Sequence, residues 1–241
     1  MKVFIQKIDG EFYNPNTFAA FKGFQKKGYK IEFYQKSDIP KEFLKKEDIV
    51  VGGIKPVRES LEFLGVKLPD ICPIPEILNE FAGRKVYKST MQEARNIVET
   101  GGEIFVKPAA EDTKLFNGVV FRKFADTIST AHIPAQTNVI CSEVVSFISE
   151  YRVFVIRGEI VGMKHYKGNC GVFPDFEIVK NAVKKYGSWQ AGYGIDFGVT
   201  DSNKTLLVEI NDGYSLGCYG LDPLIYAALL EARWNELVEN A

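Results

Sequence analysis

The sequence predicts an α/β protein in which short strands and helices alternate, and three observations lead to this prediction. Short apolar runs such as residues 3–6 stop at polar or glycine-containing turns, as strands do. The stretch 16–28 places Phe18, Phe21 and Phe24 at helical spacing. The chain of 241 residues is 46% hydrophobic, which is enough to bury a substantial core in two or three subdomains.

Residues 1–75 form the first predicted domain. Strands are expected at 3–6, 31–34 and 48–53, and helices at 16–28 and 56–65. This βαβαβ order predicts a parallel sheet, because each helix returns the chain to the same end of the sheet. No GxGxxG motif follows the first strand, so no dinucleotide site is predicted there. A proline-rich linker at 68–75 ends the domain.

Residues 76–141 are predicted to form a small α+β lobe. A short helix is expected at 76–82, followed by strands at 84–88, 103–108 and 118–122, with a polar loop at 109–117. A second helix begins after the first strand and ends at Gly101. Ser89 or Thr90 is expected to cap that helix, because a hydroxyl at this position accepts a hydrogen bond from a free backbone N–H group.

Residues 142–241 are predicted to form a large lobe. A hairpin is expected from strands at 151–156 and 160–167, joined by a turn at 157–159. A helix at 174–187 leads to a second hairpin, whose strands flank a turn at 201–204. An amphipathic helix at 224–237 is expected to close the lobe.

The charge, the lengths of the apolar runs and the cysteine spacing each argue against a class of function. The sequence has 30 Lys and Arg residues and 31 Asp and Glu residues, for a net charge of −1, and this balance does not favour a nucleic-acid partner. No apolar run reaches the ~18 residues that cross a bilayer, and no signal-peptide core is present, so the expected location is the cytoplasm. The four cysteines are scattered without a CxxC pair, which predicts reduced thiols and no zinc site.

The stretch 205–220 is the centre of the predicted functional site. It begins as an apolar strand, from which Glu209 and Asn211 leave on the same face because they are two residues apart. A carboxylate and an amide in this arrangement suit Mg²⁺. The predicted partner strand carries Asp196, and the hairpin is expected to bring Asp196 close to Glu209. Two carboxylates in one cavity are costly unless cations share it, which predicts a metal–nucleotide site.

Four short segments, taken in order, resemble the ATP-grasp superfamily. They are FVKP at 105–108, SEVVSFISEYR at 142–152, DFGV at 196–199 and LVEINDG at 207–213. Each segment is common when taken alone, but their order and spacing are typical of this superfamily. The resemblance implies an N-terminal βαβ pre-grasp domain followed by a two-lobed ATP-grasp fold that holds ATP between its lobes.

The resemblance also implies a role for each candidate residue. The candidates at the nucleotide are Lys85 or Lys88 and Lys107 at the phosphates, Glu143 to Val145 at the adenine edge, and Glu150 at the ribose hydroxyls. The candidates at the metal ion are Asp196, Glu209 and Asn211. The catalytic candidates are Arg152, which would face the γ-phosphate or an acyl phosphate, and Lys164, which would assist it.

One loop departs from the family pattern. Family members usually cover the phosphates with a loop rich in glycine and serine, whereas the equivalent residues 109–118 contain a single glycine, at the end. Backbone contacts to the phosphates are therefore less favoured here, and Lys114 is predicted to contribute a side-chain contact instead. The segment 212–220 follows the metal candidates directly, so it is predicted to border the reacting phosphate and to select the substrate.

The implied reaction is the ATP- and Mg²⁺-dependent joining of a carboxylate to an amine through an acyl phosphate. The expected partners are a small molecule or peptide with a carboxylate and an amine co-substrate, and a homodimer is possible. Phosphoryl transfer relies on positioning and charge neutralisation, so the absence of a Ser/His/Asp set is consistent with it. The alternatives are a nucleotide-binding accessory protein that has lost ligation, and a kinase.

Each candidate also has a plainer interpretation. Lys107 could be a solvated strand lysine, because most lysines are exposed. Glu150 and Arg152 could pair on a hairpin surface, where an ion pair contributes little to stability. Asn211 could simply begin a turn. The functional interpretation is preferred because these signals occur together in one consistent order.

Overall fold

The computed structural model describes residues 1–36, 38–39, 41–69, 72–109 and 115–240. These residues form three four-stranded sheets with helices packed against them. The predicted α/β class is therefore confirmed. Among the described residues, no helix combines the length and the apolar character needed to cross a membrane.

The first sheet lies in the N-terminal part of the chain and is mainly parallel, as predicted. Its strands are β1 (Lys2–Ile8), β2 (Glu11–Phe12), β3 (Lys30–Gln35) and β4 (Ile49–Val51). Strand β1 pairs in parallel with β3 and β4, and the short β2 adds an antiparallel pairing. Its helices are α1 (Pro15–Lys26) and α2 (Ile54–Phe63). Asn14 caps α1 through a hydrogen bond from the backbone of Thr17.

The second sheet is antiparallel, with the strand order β5-β8-β6-β7. Its strands are β5 (Val86–Thr90), β6 (Ile104–Pro108), β7 (Val119–Phe121) and β8 (Asn138–Ser142). A short helix α3 (Asn79–Ala82) precedes the sheet, and α4 (Met91–Glu99) packs on it. Thr90 caps α4 and forms a reciprocal pair of hydrogen bonds with Glu93, so one of the two predicted caps is correct.

The third sheet is antiparallel, with the order β10-β9-β11-β12, and it contains both predicted hairpins. Its strands are β9 (Phe147–Ile156), β10 (Glu159–Gly168), β11 (Gly192–Thr200) and β12 (Thr205–Asp212). Apolar residues on one face pack with α5 (Phe176–Tyr186) to form a core. Because side chains alternate along a strand, the opposite face is free to carry polar groups toward the second sheet.

The last helix, α6 (Pro223–Glu239), differs from the prediction of a simple amphipathic helix. It packs against α1 of the N-terminal part and also against β9 and β11 of the third sheet. Trp234 is therefore almost completely buried, and Arg233 is buried as well. Gly23 allows the close contact with α1, since a Cβ atom there would lie 1.9 Å from the carbonyl oxygen of Pro223. A helix between two packed layers needs apolar residues on more than one face.

Candidate functional site

Four charged residues form one row across the polar face of the third sheet. Lys164 on β10 is opposite Arg152 on β9, Arg152 is opposite Asp196 on β11, and Asp196 is opposite Glu209 on β12. Directly opposed residues of antiparallel strands point to the same face, so the four side chains are neighbours. The prediction that the second hairpin brings Asp196 close to Glu209 is confirmed.

Arg152 and Asp196 form a buried, bidentate ion pair. Nε and Nη2 of Arg152 donate to the two carboxylate oxygens of Asp196 at 2.8 and 2.7 Å. Gly194 makes room for the Arg152 side chain, because a Cβ atom at Gly194 would lie 3.1 Å from Cδ of Arg152. The ring of Tyr219 covers the guanidinium at 5.0 Å. Nη1 of Arg152 lies near Gly217 and has no hydrogen bond with the residues that the structure describes, so it is open to a ligand.

Burial changes the titration of Asp196. Loss of solvent raises the pKa of Asp196 to about 6, although the hydrogen bonds and charge of Arg152 act in the opposite direction. The nearby carboxylate of Glu209 raises this pKa further. Asp196 therefore depends on Arg152 to hold its negative charge, and the structure joins two residues that the sequence analysis assigned to separate roles.

Glu209 is held between the second and third sheets. Nζ of Lys107 on β6 donates to Glu209 at 2.6 Å, and Nδ2 of Asn211 donates to Glu209 at 3.2 Å and to Asp196 at 3.3 Å. Burial alone raises the pKa of Glu209, but the charge and hydrogen bonds of Lys107 and Asn211 outweigh this, and the pKa is lowered. Lys107 is therefore not a solvated strand lysine, and Asn211 contacts both carboxylates.

The chemistry of this group fits a hard cation such as Mg²⁺. Glu209 and Asn211 offer oxygen ligands next to the negative charge of Asp196. Among the described residues, no cluster of three or more His, Cys, Asp or Glu side chains is placed to hold a metal ion. A cation here would therefore use the amide oxygen of Asn211 as well as carboxylates. The Asp196 oxygens are already engaged by Arg152, so Glu209 and Asn211 are the more available ligands.

A cavity of about 630 Å³ lies between the second and third sheets. Its walls include Phe105, Lys107, Glu143, Val145, Glu150, Tyr166, Lys167 and Glu209. The backbone N–H group of Lys85 donates to the Glu143 carboxylate at 2.9 Å, and the two residues also share a backbone hydrogen bond. The volume lies in the range of ligand-binding pockets. We name this space the first cavity.

Glu150 has two partners in the first cavity that the sequence analysis missed. Its carboxylate accepts hydrogen bonds from the hydroxyl of Tyr166, at 2.8 Å, and from Nζ of Lys167. Lys167 lies opposite Glu150 in the β9–β10 register, so the hairpin pattern contained a signal for this pair. Tyr166 occupies an irregularity between His165 and Lys167, which alternation along the strand does not predict. The Tyr166 ring also stacks on Tyr219.

The remaining lysines are placed differently from one another. Lys88 is opposite Ile140, which is opposite Lys107, so Lys88 and Lys107 share a face of the second sheet. Neither Lys85 nor Lys88 lines the first cavity, and Nζ of Lys85 lies 5.4 Å from the ring centre of Tyr87. Lys164 is half-buried and has no hydrogen bond or ion pair with the other residues that the structure describes. Lys114 lies outside the described residues.

A second cavity, of about 380 Å³, adjoins the first and shares Lys107 and Glu209 with it. It is bordered by Arg152 and Asn211 and by the segment 214–217, which belongs to the stretch predicted to select the substrate. Arg58 of α2 and Leu68 also line it. The N-terminal part of the chain therefore provides one wall. Arg58 was missed because its distance along the sequence gives no sign of this contact.

Three solved structures share this fold at low sequence identity. D-cycloserine synthetase DcsG has a TM-score of 0.62 and 9% identity, over 97% of this chain and 100% of that chain. N5-carboxyaminoimidazole synthetase from Staphylococcus aureus has a TM-score of 0.60 and 14% identity, over 98% and 78%. D-alanine–D-alanine ligase from Bacillus anthracis has a TM-score of 0.56 and 12% identity, over 100% and 99%. At such identities the likeness concerns the fold.

Comparison at the level of sequence gives the family. A search of curated proteins found no match to the chain. A model of the ATP-grasp domain, R2K clade family 2, matches residues 81–229, from helix α3 to the middle of α6. The match includes both sheets that enclose the first cavity, and the resemblance to the superfamily is confirmed. Because the match covers more than half of the chain, the protein belongs to the ATP-grasp domain family of the R2K clade, family 2.

Proposed function

We propose that the protein is an ATP- and Mg²⁺-dependent ligase that joins a carboxylate to an amine through an acyl phosphate. The observation that carries this proposal is the junction of the two cavities at Lys107 and Glu209. A nucleotide in the first cavity would present its terminal phosphate at this junction. A substrate in the second cavity would approach the same phosphate from the other side.

The nucleotide would be held by residues of both sheets around the first cavity. Lys107 and Lys88 lie on the same face and would neutralise phosphate charge. Glu143 and Val145 line the cavity where the chain passes from the second sheet to the third, and would contact the adenine edge. Glu150 would accept hydrogen bonds from the ribose hydroxyls. Lys114 remains a predicted additional phosphate contact.

Glu209 and Asn211 would hold Mg²⁺, with the Asp196 charge adjacent to them. When bound, Mg²⁺ supplies neutralisation of the negative charge that develops on the transferring phosphoryl group. The Lys107 ammonium that now neutralises Glu209 would then be available to the phosphates. A doubly charged cation would replace a singly charged one at Glu209, and the phosphates of the nucleotide would balance the added positive charge.

The reaction would need no nucleophile from the protein. A carboxylate oxygen of the substrate would attack the γ-phosphorus, and ADP would leave with the electron pair of the broken P–O bond. The amine would then attack the acyl carbon, phosphate would leave with the electron pair of the broken C–O bond, and the nitrogen would lose a proton to this phosphate or to water. The free Nη1 of Arg152 is directed toward the second cavity and would stabilise charge in both steps, with Lys164 next to it.

The comparisons support this class of reaction. The structurally similar proteins include ligases and synthetases, and two of them were solved as complexes, the Bacillus anthracis ligase with ATP and the Staphylococcus aureus synthetase with ADP. Another similar structure is an L-amino acid ligase from Bacillus licheniformis. They agree with the proposal that a nucleotide occupies the first cavity.

The first test measures nucleotide binding by calorimetry with the non-hydrolysable analogue AMP-PNP and Mg²⁺. We expect the wild type to bind and Glu209→Gln to bind at least ~10-fold more weakly, because the variant loses a charged ligand. Glu103→Gln is the matched control, since Glu103 is exposed and pairs with Arg122 away from both cavities. Equal affinity of the Glu209 variant and the wild type would contradict the proposal.

The second test measures ADP release with pairs of carboxylates and amines. The proposed ligase requires both compounds for sustained turnover. ADP release that needs the carboxylate but no amine would indicate a kinase instead. Binding of AMP-PNP without ADP release for any pair of small amino acids or peptides would favour an accessory nucleotide-binding role.

A further inference from the structure

Among the residues that the structure describes, one cationic side chain in the lining of the second cavity has no ion-pair partner. The charged residues of this described lining are Arg58, Lys107, Arg152, Glu209 and Asp212. Lys107 pairs with Glu209 at 2.6 Å, and Arg152 pairs with Asp196. Both pairs are balanced, so neither leaves a net charge that a ligand would have to match.

Asp212 is also fully engaged. Nε and Nη2 of Arg233 on α6 donate to its two carboxylate oxygens at 2.8 and 2.6 Å, and both side chains are buried. Asp212 also accepts a hydrogen bond from the backbone N–H group of Tyr214. This carboxylate therefore holds the segment that follows β12 against α6, and it forms no hydrogen bond or ion pair with Arg58.

Arg58 itself is half-buried on α2 and has no hydrogen bond or ion pair with any residue that the structure describes. Glu62, one turn later on α2, is exposed and does not line the cavity. Glu59, the adjacent residue, lies within 4 Å of Lys41 and Lys55. A guanidinium in a cavity without a partner favours an anionic ligand, because its planar donors match a carboxylate.

Apolar residues share the lining of the second cavity with Arg58. They include Ile54, Leu68, Pro69, Phe116 and Leu216. The same lining carries Arg152, Glu209 and Asn211, where the proposed phosphoryl transfer takes place. A ligand that contacts Arg58 as well as these three residues would therefore carry a second anionic group and an apolar portion besides its reacting group.

We propose that Arg58 binds the non-reacting carboxylate of a substrate, so that the substrate is a small amino acid or dicarboxylic acid with an apolar portion. This inference rests on the proposed function, because it divides the cavity into a reacting end and a recognition end. The same carboxylate can belong to either substrate. It is the α-carboxylate if the amine co-substrate is an amino acid, and the second carboxylate if the donor is a dicarboxylic acid.

The test is calorimetric titration of the full chain saturated with AMP-PNP and Mg²⁺, using acids and their amides. One arm compares D- and L-alanine and D- and L-leucine with their carboxamides. The other arm compares glutarate with glutaramate. In at least one arm we expect the acid to bind roughly 10- to 100-fold more tightly than the amide, because a charged hydrogen bond is lost. The arm that shows the preference identifies the substrate that carries the carboxylate.

Two variants assign the preference to Arg58. Arg58→Ala is expected to remove the difference between acid and amide while retaining AMP-PNP binding, since Arg58 does not line the first cavity. Lys55→Ala is the matched control, because it removes one positive charge from the same helix at an exposed position outside the cavity. Absence of an acid preference in the wild type, or its persistence in Arg58→Ala, would overturn the assignment.

ADP release, measured with the same compounds and ATP, separates this inference from the proposed function. An acid preference that depends on Arg58 without any ADP release would support the role of Arg58 and contradict the ligase reaction. ADP release with equal use of acids and amides would support the reaction and overturn the role of Arg58.

Discussion

Two ion pairs lie side by side at the site, and they differ in how open they are. Arg152 and Asp196 belong to one sheet, are joined by two hydrogen bonds, and have side chains only 8% and 2% exposed. Lys107 and Glu209 come from different sheets, are joined by one hydrogen bond, and are 19% and 30% exposed. We call them the closed pair and the open pair.

The difference indicates separate tasks for the two pairs. A buried ion that loses its partner cannot be solvated, so the closed pair is fixed for as long as the sheet is folded. An ion at a cavity wall can exchange its partner for water, a metal ion or a phosphate at little cost. The closed pair therefore sets the position of Arg152, and the open pair is where ligands are expected to enter.

The largest expected effect comes from breaking the closed pair. Asp196→Ala leaves the Arg152 charge buried without a partner, which should lower the free energy of unfolding by about 3–5 kcal/mol. Urea denaturation followed by circular dichroism measures this change. Asp201→Ala, in the exposed turn of the same hairpin, is the control and should change stability by less than about 0.5 kcal/mol. A loss of less than about 1 kcal/mol in Asp196→Ala would show that the pair is not closed.

Breaking the open pair should affect ligand binding more than stability. In Lys107→Met the remaining carboxylate of Glu209 can be hydrated, so the free energy of unfolding should fall by about 1 kcal/mol or less. AMP-PNP affinity should fall roughly 10- to 100-fold, because a charged contact to phosphate is lost. Lys204→Met, at an exposed position beside β12, should leave both quantities unchanged. A stability loss as large as that of Asp196→Ala would remove the distinction between the two pairs.

A smaller effect is expected from the ring that covers the closed pair. Tyr219→Ala removes the contact with the Arg152 guanidinium, which is worth about 0.5–2 kcal/mol. Arg152 should then be less well oriented, and kcat for ADP release should fall about 3- to 30-fold with a smaller change in AMP-PNP affinity. Tyr219→Phe keeps the ring and should behave like the wild type. If both variants lose activity equally, the hydroxyl matters and the ring does not.

The smallest effect is expected from the two lysines near the start of the second sheet. Lys88 shares a face of the second sheet with Lys107, whereas Lys85 precedes β5 and its ammonium lies near the ring of Tyr87. Lys88→Ala should weaken AMP-PNP binding about 3- to 10-fold at low salt, and Lys85→Ala should change it less than about twofold. The reverse result would indicate that the phosphates bind at the other face of β5.

The sequence predicted contacts within hairpins better than contacts between sheets. The proximity of Asp196 and Glu209 follows from a turn and from alternation along two adjacent strands. The contact of Lys107 with Glu209 joins residues 102 positions apart, and it depends on how the second and third sheets pack. No local pattern encodes that packing, so the resemblance to a family could suggest a shared site but not the ion pair.

The pairing of Arg152 with Asp196 was also missed, because it depends on the pairing of β9 with β11, which are not consecutive strands. Arg152 was assigned to a phosphate and Asp196 to the metal ion, because each residue type suits that role. The side chains meet because they are opposite each other on β9 and β11, and Gly194 leaves room for Arg152 because it has no Cβ atom. The buried pair of Asp212 and Arg233 was missed for a different reason, since the prediction treated α6 as having one solvated face.

The packing of α6 has a consequence for the order in which the chain can fold during synthesis. Residues from the first sheet and from α1 share one apolar core with Tyr226, Leu230 and Trp234 of α6. The ribosome makes the N-terminal strands first, but the residues that complete their core emerge about 200 positions later. The first sheet and α1 therefore lack part of their core until α6 has been synthesised, and these elements complete their packing together.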